Sequence, residues 1–96
     1  MSCTKISYNK HSRAWHHFYD RFEVRGVHKI ISLKELEEIV TQYYVSRKIC
    51  EDKKHPGIQG PRYRIRISRN NKVITVIIEK TKNCLLPITI WFENLR

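Results

Sequence analysis

The chain is short of carboxylates. Nine Asp and Glu stand against nineteen Lys and Arg, for a formal charge of +10 in 96 residues. The acids gather at Glu35, Glu37 and Glu38 in one helical stretch, so no carboxylate pair for two-metal chemistry stands out. Cysteine is scarce too: Cys3, Cys50 and Cys84 are odd in number and irregularly spaced. That argues against a disulfide framework and for a reducing compartment. Cys50 and His55 come nearest to a ligand pair, but there is no C-x-x-C or H-x-x-x-H, so neither a structural metal nor a cofactor is expected. No Gly-rich phosphate loop and no G-x-S-x-G is present. No apolar run approaches the roughly 20 residues of a membrane helix, and the N-terminus lacks an apolar signal core. The expectation is a cytoplasmic protein without a membrane partner.

What is abundant is positive charge on a chain of globular composition, with a hydrophobic fraction of 41%. The length suits one domain with a modest core. The charge exceeds what solubility needs and attracts phosphate by long-range field and counterion release. Nucleic acid is the favoured partner, an acidic protein the next.

The most informative stretch runs from Pro61 to Phe92. Arg62, Arg64 and Arg66 alternate with Tyr63, Ile65 and Ile67, the period of a strand with one buried face. Three arginines then share one face within roughly 14 Å, and Tyr63 belongs to the core. Asn70-Asn71 reads as a hairpin turn. Val73 to Ile78 is almost continuously apolar, which predicts a central strand covered on both faces. After a reversal at Thr81 to Cys84, Pro87 to Phe92 offers Ile88, Ile90 and Phe92 to one face and Thr89, Trp91 and Glu93 to the other. Cys84 is expected to be buried, and Trp91 is expected in the core, with a base-stacking platform as its alternative.

Upstream, Lys5 to Tyr8 reads as a short strand, and Asn9 or Ser12 as a helix cap. Trp15, Phe18, Tyr19 and Phe22 form one apolar stripe of a helix from Arg13 to about Val24, stopped by Gly26. Ser32-Leu-Lys-Glu35 is a capping box. It opens a second helix from Leu33 to about Arg47, with Leu36, Ile39, Val40 and Tyr43 on its apolar face. Cys50 to Gly60 reads as a loop. The sum is an α+β domain, residues 1–96, of two N-terminal helices packed on a C-terminal antiparallel meander of three or four strands.

Several pieces together resemble the RelE-type and BrnT-type toxin superfamily of small single-domain proteins. They are His11, Arg25-Gly-Val27, Ile31-Ser32, Gly60-Pro-Arg-Tyr63, Val73 to Ile78 and Ile88-Thr-Ile90. The stretch from His11 to Arg25 is longer than in that pattern. The resemblance implies a helix-on-sheet fold, cleavage of RNA that is free or on the ribosome, and an antitoxin partner.

Metal-free RNA cleavage needs a base, an acid and cations for the crowded phosphate. Histidine serves either proton role and arginine grips phosphate with its fork. His11 and His17 are the expected proton carriers, with Arg25 and Arg64 as catalytic cations. Arg62, Arg64, Arg66, Arg69 and Lys72 are expected to bind RNA, and Tyr19 to stack on an unpaired base. The expected activity is a metal-independent endoribonuclease leaving a 2′,3′-cyclic phosphate. That activity requires a histidine close to the arginine face. The alternatives are a non-enzymatic nucleic-acid-binding module, an inhibitor of a host nucleoprotein complex such as phages encode, or a toxin-fold relic that only pairs with a partner.

Overall fold

The computed structural model describes Ile6, residues 13–81 and residues 84–95. The expected strand beyond Ile6, the helix caps at Asn9 or Ser12, and His11 lie outside the described residues. The first helix, α1 (Arg13–Val24), buries Trp15, Phe18 and Phe22. Their rings stack along the helix, Phe18 on Phe22 at 6.5 Å. Tyr19 packs on the rim of this row and stays 39% exposed. Gly26 ends the helix with φ +75°, a left-handed conformation that L side chains adopt reluctantly. A 3₁₀ turn, Val27–Lys29, then buries Val27.

The second helix, α2 (Leu33–Val45), starts as the capping box requires: the Ser32 hydroxyl accepts the Glu35 amide at 3.1 Å. Leu36 and Val40 are fully buried, with Leu33, Ile39 and Tyr43 packed beside them. The helix stops at Val45 because Arg47 turns left-handed, with φ +61°. Lys48 then donates to the Tyr43 carbonyl at 2.8 Å and Arg47 to that of Tyr44 at 3.2 Å. This is a Schellman closure, with arginine where glycine is usual.

Four antiparallel strands follow in sequence order: β1 (Cys50–Glu51), β2 (Arg62–Arg69), β3 (Lys72–Lys80) and β4 (Leu85–Asn94). The loop expected from Cys50 therefore opens with a short edge strand, too brief to show periodicity. Asn70 and Asn71 both take positive φ, 52° and 60°, the two-residue turn that matches strand twist. The β3–β4 register slips between Ile77, which faces Thr89, and Ile78, which faces Pro87. Ile88 is the extra residue of this bulge and is half-buried, outside the core cluster that holds Ile90 and Phe92. Pro87 is tolerated because β4 lies at an edge.

Both helices lie on one face of the sheet. Phe18, Phe22, Leu36 and Val40 share one core with Ile65, Ile67, Ile74, Val76, Ile78 and Ile90. α1 lies along β4. α2 runs antiparallel to β2, tied at its start by the Glu35–Arg69 ion pair and at its end by Tyr44 edge-on to Tyr63, 5.6 Å between centroids. The other face has no helix over it among the described residues, so β3 is covered on one side only, and Val73 and Ile77 remain half-exposed.

Three local findings complete the frame. The outer edge of β4 is blunted, as exposed edges need to be. Arg25 donates to the Ile90 carbonyl at 2.9 Å, and Ile6 forms a parallel bridge with Leu85. Cys84 is half-buried and disulfide-bonded, while Cys50 is free and exposed. That corrects the expectation of a buried, reduced Cys84: an odd count rules out full pairing but leaves room for one bridge. No helix among the described residues is long and apolar enough to cross a membrane.

Candidate nucleic-acid interface

Directly opposed residues of an antiparallel ladder share a face. The registers therefore lay out the open face in rows: Arg62–Glu79–Leu86, Arg64–Ile77–Thr89, Arg66–Thr75–Trp91 and Ser68–Val73–Glu93. The central row joins a guanidinium and an indole across a threonine. Thr75 is only 3% exposed although no helix covers it. It is small, and the larger Arg66 and Trp91 flank it on either side.

Trp91 is thus not a core residue. It is half-buried on the open face, about 10 Å from Arg66 by strand spacing. Strand parity already separated it from Ile90 and Phe92. What the sequence lacked was any sign that the second face goes uncovered.

The three arginines expected to form a ladder have different fates. Arg62 is held by Glu79, Nε to Oε1 at 2.9 Å, and that carboxylate is buried. Glu79 also accepts the Gln59 amide at 3.0 Å. Gly57 packs so close that a Cβ there would fall 1.8 Å from Glu79 Oε1. Arg62 and Glu79 together therefore fasten the 52–61 loop to the sheet. Arg64 is exposed, with Nη2 at 3.8 Å from Cys50 Sγ. Arg66 is exposed and has no carboxylate partner among the described residues.

The remaining expected cations lie elsewhere. Arg69 is on the covered face, paired with Glu35. Lys72 is also there, donating to Asn94 Oδ1 at 2.7 Å and lying over the Phe92 ring. Tyr19 belongs to the helix layer. His17 and Arg21 on α1 and Arg25 just past its end recur every four residues, and the Arg25 amide still bonds the Arg21 carbonyl at 3.1 Å, so the three share one side. There Arg21 meets Asp20 at 3.3 Å, and Arg25 meets the Ile90 carbonyl and, at 3.5 Å, Thr89 Oγ1. His17 is exposed on a helix packed along β4, while Arg64 lies near the opposite edge, beside β1. The first helix therefore does not bring His17 to the arginine face.

A histidine not chosen from the sequence does approach it. His55 lines a pocket of about 260 Å³ with Cys50, Glu51, Asp52, Lys54 and Arg64. Its Nδ1 lies 3.2 Å from the Asp52 carboxylate. Such a contact orients the ring and leaves Nε2 as the open nitrogen. The Asp52–x–x–His55 spacing was visible, but a Pro-Gly turn beside it reads first as loop. No metal-binding group of three His, Cys, Asp or Glu occurs among the described residues.

A neighbouring groove of about 460 Å³ is lined by Tyr43, Arg47, Lys48, Ile49, Cys50, Arg64 and Arg66. Arg64 and Cys50 border both hollows. No protein family, curated protein or solved structure matches the chain.

Proposed function

We propose that this protein binds single-stranded RNA across the open face of its sheet. The observation that carries the reading is the row Arg66–Thr75–Trp91, an exposed guanidinium without a carboxylate partner among the described residues, in line with a half-exposed indole. A flat ring offers a stacking surface to any unpaired base, and arginine grips the flanking phosphate. The overall charge of +10 supplies attraction at longer range. RNA rather than DNA is favoured by the resemblance to RNA-cleaving toxins.

The test is fluorescence anisotropy with a labelled single-stranded RNA and a DNA of the same sequence. Trp91→Ala is expected to weaken RNA binding about tenfold, the worth of one base stack. Tyr19→Ala, on the helix layer, is expected to change nothing. Equal affinity of wild type and Trp91→Ala sinks the reading.

The Asp52–His55 pair beside Arg64 favours a second reading, metal-independent cleavage of the bound strand. In it, His55 Nε2 takes the 2′-hydroxyl proton and the 2′-oxygen attacks phosphorus. The bond to the 5′-oxygen breaks, that oxygen leaves with a proton from solvent, and a 2′,3′-cyclic phosphate remains. Arg64 neutralises the charge that builds on the phosphate. RNA incubated with protein in EDTA is expected to yield cyclic-phosphate ends with wild type and His17→Ala, and none with His55→Ala or Arg64→Ala. Cleavage that survives His55→Ala but not His17→Ala places the proton carrier on α1 instead.

A further inference from the structure

The groove at the end of α2 draws four cations together. Arg47 and Lys48 enter it from the helix terminus, Arg64 and Arg66 from β2, and no carboxylate lines it among the described residues. Lys48 Nζ stands 5.6 Å over the Tyr43 ring, a contact that holds the ammonium near the groove. Arg47 is there at a conformational cost. It occupies the left-handed position, φ +61°, that closes the helix and that glycine fills without strain. A non-glycine residue held left-handed at a cationic groove is an outlier that motivates a functional hypothesis.

We infer that this groove seats a terminal phosphate of the bound RNA strand. The inference rests on the RNA-binding reading and extends it to the end of the strand. Two features favour a terminal group over an internal linkage. A phosphate monoester carries about −1.5 to −2 charges at neutral pH, against −1 for a diester, and four converging cations suit the larger charge. The groove also lies where the open face runs out. Arg64 and Arg66 belong to both, and Tyr43 and Ile49 line it from the α2 end. A strand stacked on Trp91 and crossing β3 to Arg66 meets the end of the helix there. The forks of the arginines bind two phosphate oxygens at once, and the lysine adds a point charge.

The experiment compares one short single-stranded RNA in three forms: 5′-phosphorylated, 3′-phosphorylated and with both ends as hydroxyls. One phosphorylated form is expected to bind roughly fivefold tighter than the hydroxyl form, the worth of one added charge among partly exposed cations. Arg47→Ala and Lys48→Ala are each expected to erase that preference while still binding the hydroxyl form. Equal affinity for all three forms overturns the terminal-phosphate site and leaves RNA binding standing. No binding of any form overturns both. Arg47→Gly separates function from folding: it is expected to raise the melting temperature and to lose the preference. An Arg47→Gly protein that keeps the preference, or melts earlier than wild type, overturns the role given to Arg47.

Discussion

The two faces of the sheet carry similar numbers of cations and use them differently. On the covered face, Arg69 is matched by Glu35 and Lys72 by Asn94 and the Phe92 ring. On the open face, among the described residues, Arg66 has no carboxylate partner and Arg64 meets the Cys50 sulfur. Residue type does not separate these groups, since arginine occurs on both faces. What separates them is whether the fold sets an acceptor opposite. A basic composition therefore marks a partner class, and the pattern of unmatched cations marks the place.

Arg62 tests that distinction, because it sits on the open face yet behaves like the covered one. Its partner Glu79 is 3% exposed and also holds the Gln59 amide. Neutralising the buried carboxylate weakens its charged hydrogen bonds to Arg62 and to the Gln59 amide, while Arg62, 30% exposed, regains some water, a cost of about 2 kcal/mol. Glu79→Gln is therefore expected to lower unfolding free energy by that order, measured by urea denaturation. It should also loosen the 52–61 loop, seen as faster amide exchange around Gln59. A Glu79→Gln protein as stable as wild type breaks the account of Arg62 as a fastener.

The next effect is on binding. The Arg64→Ala, Arg66→Ala double variant is expected to lose at least tenfold in RNA affinity and to flatten its salt dependence. Its stability should stay within about 0.5 kcal/mol, as for other surface changes. Arg69→Ala is expected to do the reverse: affinity unchanged, with stability lower by at most about 1 kcal/mol, because its pair with Glu35 is partly solvated. Equal loss of affinity in both proteins erases the contrast between the faces and reduces binding to total charge.

Much of this was visible in the residues. Period-two alternation from Arg62 to Ile67 put the arginines on one face, the Ser32–Glu35 box opened α2, and the Asn70-Asn71 pair turned the hairpin. Each signal is local, so local sequence sufficed. Some of what the sequence hides is a matter of distance along the chain. Glu79 and Arg62 are seventeen positions apart, and nothing near either names the other. Arg69 and Glu35 are thirty-four apart. Trp91 looked like core because an apolar strand looks the same whether one face is covered or two. His55 is masked by its neighbours, Pro56 and Gly57, which signal a turn. Arg47 was placed inside the helix, since no residue there signals a left-handed stop as glycine does at Gly26.

The smallest expected effect concerns Tyr63, at the rim of the covered face. Burial raises its pKa above the usual tyrosine value, helped by the Tyr44 hydroxyl and the Glu51 carboxylate. Glu51 is its direct partner across β1 and β2. The folded state thus holds the phenol proton more tightly than the unfolded chain does. The stability this contributes is fully present below the unfolded value of about 10, and it is lost as pH rises through the higher folded value. Wild type is therefore expected to lose stability between pH 9 and pH 11, roughly, faster than Tyr63→Phe. The gap between the two proteins in urea denaturation should hold steady from about pH 7 to pH 9 and shift towards the variant above that. A gap that does not move with pH means that Tyr63 is as well solvated as the residues of the open face. The boundary between the two faces would then lie further inside the sheet than the Tyr44–Tyr63 contact implies.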